Sequence, residues 1–233
     1  MARIAVLLAI LAAAASAAAV ALATTRTPKE LRAAIFTAAR KEHSVHYVEH
    51  AAAARLRQTM VCDAAKTRGI QRITFTLAGK RGHFIVIVVK RIVYLRGSAY
   101  ALHGYLGFTP AQAAAYHDRW VSVPPANRRY KDLAASVTLP SFLHDIYPRA
   151  PLALATTTLG GRKITGVRGT NKEAGGVRFE EALFPDPKLR PLAVSDIDTK
   201  LGFVDGVKLG RWNEEVHVTV PAHAVPIAKV TAA

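Results

Sequence analysis

The chain carries one cysteine, Cys62, in 233 residues. A lone thiol excludes an intramolecular disulfide framework and a thiolate metal cluster, and leaves Cys62 as a small buried hydrophobe. Carboxylates are also scarce, 16 against 32 lysines and arginines, so the formal charge is +16. Pairs of acids for acid–base chemistry are correspondingly few. Asp196 and Asp198 lie two apart on an expected strand, hence on one face, where they repel unless a cation such as Lys200 stands beside them. Lysine and arginine never run for more than two residues, which excludes a disordered basic tail. Aromatic residues are 7% of the chain, and the apolar strands offer no platform on which bases would stack. Arg68, Arg72, Lys80 and Arg81 suit phosphate contact, yet nucleic acid is not the expected partner.

Catalytic motifs are missing. There is no Gly-x-Ser-x-Gly, no His-Glu-x-x-His, no phosphate loop and no Gly-x-Gly-x-x-Gly after a strand. Ser141, His144 and Asp145 have the residue types of a nucleophilic triad but fall within one expected helix, where no separate turn presents the serine. His43, His46 and His50 invite a zinc site. On a strand, however, His46 and His50 share a face while His43 points away, and no set of three or four ligands results, so solvated histidines are expected. No cofactor or metal and no enzymatic activity is expected.

What is present begins with Met1-Ala2-Arg3, followed by an uncharged, alanine-rich stretch from Ile4 to Leu22 that closes on Ala21-Leu22-Ala23, the small-x-small pattern of signal-peptidase sites. Residues 1–23 are therefore expected to be an export signal, with a retained membrane anchor as the rival, and residues 24–233 a single domain outside the cytoplasm. Arg26, Lys29 and Arg32 follow the stretch whereas Arg3 alone precedes it, so the positive-inside tendency does not by itself favour export. Outside a cell, a basic surface meets anionic membrane surfaces and wall polymers rather than nucleic acid.

Thr27-Pro28-Lys29-Glu30 combines a cap, a first-turn proline and a third-position glutamate, and opens a helix predicted to end near Lys41. Strands are predicted from Val45, at Ile70–Leu77, Phe84–Val89 and Ile92–Leu95, with Gly79–Gly82 and Lys90-Arg91 as turns. Phe84–Val89 is apolar without alternation, so both of its faces must be covered, by helices on one side and by something else apolar on the other. Helices are predicted around Tyr100–Leu106, from Thr109-Pro110 to Tyr116, at Tyr130–Ala135 and at Leu139–Ile146. Strands then return at Leu152–Leu159, Arg162–Val167, Val177–Leu183, Arg190–Ile197 and Trp212–Val220, with Gly202–Gly210 a hairpin or a loop. Strands, helices and strands again, without βαβ alternation, make an α+β fold with an antiparallel sheet.

Val93-Tyr94-Leu95-Arg96-Gly97, Leu102, Leu106-Gly107, Arg119-Trp120-Val121-Ser122-Val123-Pro124 and Trp212-Asn213-Glu214-Glu215-Val216 resemble the actinobacterial envelope lipoproteins of the LppX and LprG type, whose fold is similar to that of LolA and LolB. The resemblance implies a curled antiparallel sheet, a half-barrel, with helices packed on its concave face and an apolar cavity between them that holds acyl chains. Phe75, Leu77, Phe84, Val86, Val88, Tyr94, Leu102, Leu106 and Trp120 are then the candidate lining residues, the other possibility being that they fill an ordinary core. The lipid-attachment cysteine of that family is missing: Thr24 follows Ala23, and Cys62 is far away. The expected function is non-enzymatic binding of a lipid or acylated molecule, with basic residues at the mouth attracting its head group. The alternative is a structural protein of the same fold that adheres to anionic envelope components.

Overall fold

The computed structural model describes residues 26–172, 178–198 and 203–231. The expected leader, Lys200 and residues 173–177, Val177 of an expected strand among them, lie outside the described residues, as do the side chains of Leu106 and Asp198.

Helix α1 (Pro28–Lys41) starts where the sequence places it. The Glu30 amide donates to Thr27 Oγ1 at 3.3 Å and the Thr27 amide to the Glu30 carboxylate at 2.8 Å, which satisfies two amides that the first turn leaves without helical partners. Leu31, Ile35, Phe36 and Ala39 form its buried stripe.

Five strands follow as an antiparallel meander: β1 (Ser44–Ala53), β2 (Leu56–Ala65), β3 (Gly69–Leu77), β4 (Lys80–Val89) and β5 (Ile92–Gly97). The turn before β4 is tighter than expected. Ala78 and Gly79, at φ 50° and 82°, make it alone, and Lys80–Gly82 already belong to the strand. Helices α2 (Ala99–Leu106) and α3 (Pro110–Tyr116), the short strand β6 (Val121–Val123), and helices α4 (Tyr130–Ala134) and α5 (Leu139–Asp145) come next. A second meander comprises β7 (Arg149–Leu159), β8 (Arg162–Lys172), β9 (Arg178–Pro185), β10 (Pro191–Asp198) and β11 (Phe203–Gly210). The chain ends in β12 (Val225–Pro226) and α6 (Ile227–Thr231).

All twelve strands form one open, curled sheet in the order β12-β6-β5-β4-β3-β2-β1-β11-β10-β9-β8-β7. Every neighbouring pair is antiparallel except β12 and β6. The two meanders join where β1 pairs with β11, so Phe203–Gly210, read from sequence as a hairpin or loop, is a central strand. Together with six helices among the described residues, this is an α+β fold.

Alternate residues of the strands, Val45, Tyr47, Met60, Cys62, Ile73, Phe75, Val86 and Leu95 among them, meet the helical residues Leu31, Phe36, Leu102, Leu139 and Phe142 in one core. Ile87, Val89 and Tyr94 point the other way and are covered by Trp120, Val218 and Ala224. The unbroken apolar run of β4 thus has a cover on each face, as its composition requires. The second cover is the stretch after β11. Trp212–Val220 was expected to be a strand but makes no ladder. Instead the Asn213 amide donates to Ser44 O at 3.1 Å, the His43 amide to Asn213 Oδ1 at 2.7 Å and Ser44 Oγ to Glu214 O at 2.5 Å, which strap this segment across the sheet.

Candidate functional site

At the helical side of the molecule a groove of about 670 Å³ runs beside α5. Leu139, Pro140 and Leu143 of α5, with Tyr147 just after it, supply the apolar floor. Arg40 from the last turn of α1, Lys66 from the end of β2, Arg149 from the start of β7 and His144 stand around it. Arg40, Lys66 and Arg149 are exposed, and no carboxylate is among the described residues that line it. Local contacts fix the floor. The Thr138 and Ser141 hydroxyls, 2.9 Å apart, cap α5. Tyr147 lies 4.7 Å from the Phe36 ring and beneath the Arg32 guanidinium at 4.5 Å, and that guanidinium donates to Pro148 O at 2.7 Å. An apolar floor with cations of one sign around it suits a chain that ends in an anion.

Among the described side chains, none of the lining residues expected from the sequence is in this groove. Phe75, Phe84, Val86, Val88 and Leu102 are buried in the main core, with Leu77 packed against it. Phe75 lies 6.4 Å from the Phe84 ring and 5.9 Å from Tyr100, contacts of a filled interior. Tyr94 and Trp120 belong to the small cluster on the opposite face, so the eight positions with described side chains divide between two clusters. The groove residues were passed over because their signal is short. Within seven residues α5 has Leu139, Phe142 and Leu143, a stripe wide enough both to fill a core and to edge a groove.

His144 Nδ1 is 3.3 Å from Asp145 Oδ1, but Ser141 is hydrogen-bonded elsewhere. Ser141 Oγ donates to Thr138 O at 2.9 Å, while Asp145 accepts from Ser136 Oγ at 2.6 Å. His46 Nδ1 is 2.7 Å from Asp63 Oδ1, which also faces Arg211 at 3.4 Å, and His50 Nδ1 is 3.1 Å from Thr59 Oγ1. Among the described residues, no group of three histidine, cysteine or acidic side chains could hold a metal ion. Cys62 is fully buried, and burial pushes its thiol up to about 12, which makes it unreactive.

Asp196 belongs to a buried acidic row that the sequence pattern reveals only in part. Glu181, Asp196 and Asp205 occupy one register row across β9, β10 and β11, and all three are buried. Asn171 Nδ2 donates to Glu181 Oε2 at 2.8 Å. Burial, reinforced by the Asp145 carboxylate, pushes Glu181 up to about 7 despite that hydrogen bond.

No family model matches the chain, and no curated protein matches it significantly. Several solved structures are similar. An uncharacterized conserved protein from Thermus thermophilus is 12% identical with a TM-score of 0.43, over 82% of this chain and 95% of that one. MucB in complex with MucA(peri) is 13% identical with a TM-score of 0.40, over 85% and 60% respectively. A DUF1329 family protein from Desulfovibrio piger is 9% identical with a TM-score of 0.36, over 84% and 96%. None of the three is described as an LppX or LprG protein, and no assignment is drawn from likeness of this degree.

Proposed function

We propose that this protein is an exported, non-enzymatic binding protein of the cell envelope whose ligand is an anionic amphiphile, a lipid or an acylated molecule. The carrying observation is the groove beside α5, with its apolar floor and its cations Arg40, Lys66 and Arg149, and with no carboxylate among the described lining residues. Each methylene that leaves water for the floor contributes roughly 0.8 kcal/mol, so a short length of chain supplies the affinity and the cations select the charged end. The alanine-rich, uncharged stretch from Ile4 to Leu22 supports export.

The test is native mass spectrometry of the protein recovered from its own envelope, followed by titration with a fluorescent fatty acid. A stoichiometric amphiphile and binding that weakens about tenfold or more in Arg40→Glu/Arg149→Glu are expected, since charge-assisted hydrogen bonds contribute about 1.5 to 3 kcal/mol each. Tyr147→Ala should remove part of the dependence on chain length. An empty protein that takes up no fatty acid or phospholipid overturns the reading.

A further inference from the structure

The face of the sheet that the helices leave uncovered holds a trough of about 680 Å³ across β1 to β4. The register row Ala51, Gln58, Phe75, Gly82 lines it, Phe75 being one of the residues expected to line a cavity, and two further rows flank that one. One reads His50, Thr59, Thr74, His83; the other, two residues further along each strand, reads Ala52, Arg57, Thr76, Arg81. Neighbouring strands are about 4.8 Å apart, which puts the backbones of Arg57 and Arg81 roughly 10 Å apart with Thr76 midway between them. Both arginines are exposed, and no carboxylate is among the described residues that line the trough. Two acids touch wall residues from outside it. Asp118 sits 3.0 Å from His83 Nε2 and is shared with Arg96 at 3.9 Å, and Glu49 accepts from Gln58 Nε2 at 3.2 Å.

An oxyanion above Thr76 therefore meets a guanidinium from each side and a hydroxyl from below. Guanidinium forks match phosphate oxygens in pairs, and a tetrahedral phosphate has oxygens enough for both forks and the hydroxyl. Two further observations indicate what carries the phosphate. The arginine row continues past Ala52 to Val204 on β11, a large apolar side chain left 53% exposed. At His50 the trough also adjoins a groove of about 580 Å³ on the same face, to which Leu159, Phe184 and Ala193 contribute. Gly206, the partner of His50, leaves the floor between the two hollows bare, since even a Cβ there would meet open space. Cationic forks beside exposed apolar surface fit the boundary between head groups and acyl chains.

We propose that this face docks on a lipid surface by taking a phosphate head group between Arg57 and Arg81, over Thr76. It extends the envelope-binding reading without depending on the groove beside α5: cargo is held on one side of the sheet, and the membrane is met on the other.

The test is co-sedimentation of the full chain with phosphatidylcholine vesicles that contain or lack phosphatidic acid. Binding that requires phosphatidic acid is expected, with a loss of about tenfold or more in Arg57→Glu/Arg81→Glu and a smaller loss in Thr76→Val. Arg128→Glu/Lys131→Glu, at exposed positions that line neither the trough nor the groove beside α5, changes the net charge by the same amount and serves as the control; it should sediment as the parent does. Equal losses in the two double variants would reduce the effect to bulk charge and overturn the site. So would undiminished binding by Arg57→Glu/Arg81→Glu, or equal binding to vesicles without phosphatidic acid. Inorganic phosphate that binds through Arg57 and Arg81 while vesicles do not would assign the site to the free ion and overturn the docking.

Discussion

Tyr47 and Phe142 stack with ring centroids 4.2 Å apart and planes 15° from parallel. The contact joins β1 to α5 at the centre of the core and aims the phenol at the turn before α5, where it donates to Ser136 O at 2.6 Å and accepts from Gln71 Nε2 at 3.1 Å. Tyr47→Phe keeps the stack and strips both hydrogen bonds, leaving a buried amide and a carbonyl each short of one partner. Urea unfolding should show a loss of about 1 to 3 kcal/mol. Phe142→Ala removes the stack itself and should cost about 3 to 5 kcal/mol. Equal stability of Tyr47→Phe and the parent would show that the phenol makes no net contribution.

Glu181 provides a pH signature. Its pKa, about 7 in the folded chain against an ordinary 4.5, means that the folded state holds a proton which the unfolded state has released between those values. Stability therefore falls as pH rises from about 4.5 to 7, by at most roughly 3 kcal/mol from this group. Glu181→Gln keeps the shape and removes the titration, so its unfolding free energy should lose that slope. An unchanged slope between about pH 5 and 7 would assign it to other groups.

Gly69 is required by closeness alone. A Cβ at this position would lie 1.8 Å from Val137 O, where the segment leading into α5 crosses the first residue of β3. Gly69→Ala must push the two backbones apart, and a loss of at least about 1 to 3 kcal/mol in thermal unfolding is expected.

The strap after β11 predicts a spectroscopic change. Val218→Asp sets a carboxylate against Ile87, Val89 and Tyr94, whose cover includes Trp120. In a Trp212→Phe background the single remaining tryptophan should shift its emission to the red, with a loss of about 1 to 3 kcal/mol in stability. Emission unchanged from the parent would mean that the strap does not protect that cluster.

The elements legible in the sequence are those whose local chemistry matches their tertiary role. Thr27, Pro28 and Glu30 mark the start of α1, and the alternation of Ile73, Phe75 and Leu77 marks β3, because both signals are complete within a few residues. The second half of β1 and the end of β2 are rich in alanine, which carries little strand preference, so their ten-residue lengths emerge only from pairing. Trp212–Val220 misled for the opposite reason. Its apolar residues alternate like a strand, but the edge of β1 that it could have joined is already paired with β11. The groove beside α5 is assembled from Arg40, Lys66, Leu143 and Arg149, residues on four separate segments, and no window along the chain contains their juxtaposition.

The seam between β1 and β11 has a consequence for the order of assembly. His46 pairs with Gly210 and Ala52 with Val204, whereas every other pairing of β1 through β5 within the first meander joins strands that follow one another directly in the chain. Hairpin by hairpin, the first meander can close as soon as its residues are available, but β1 keeps a bare edge until nearly the whole polypeptide has been made. A bare edge is also a template on which a second copy can pair. Yield on refolding should therefore fall with protein concentration, because the final strand competes for β1 with every neighbouring molecule.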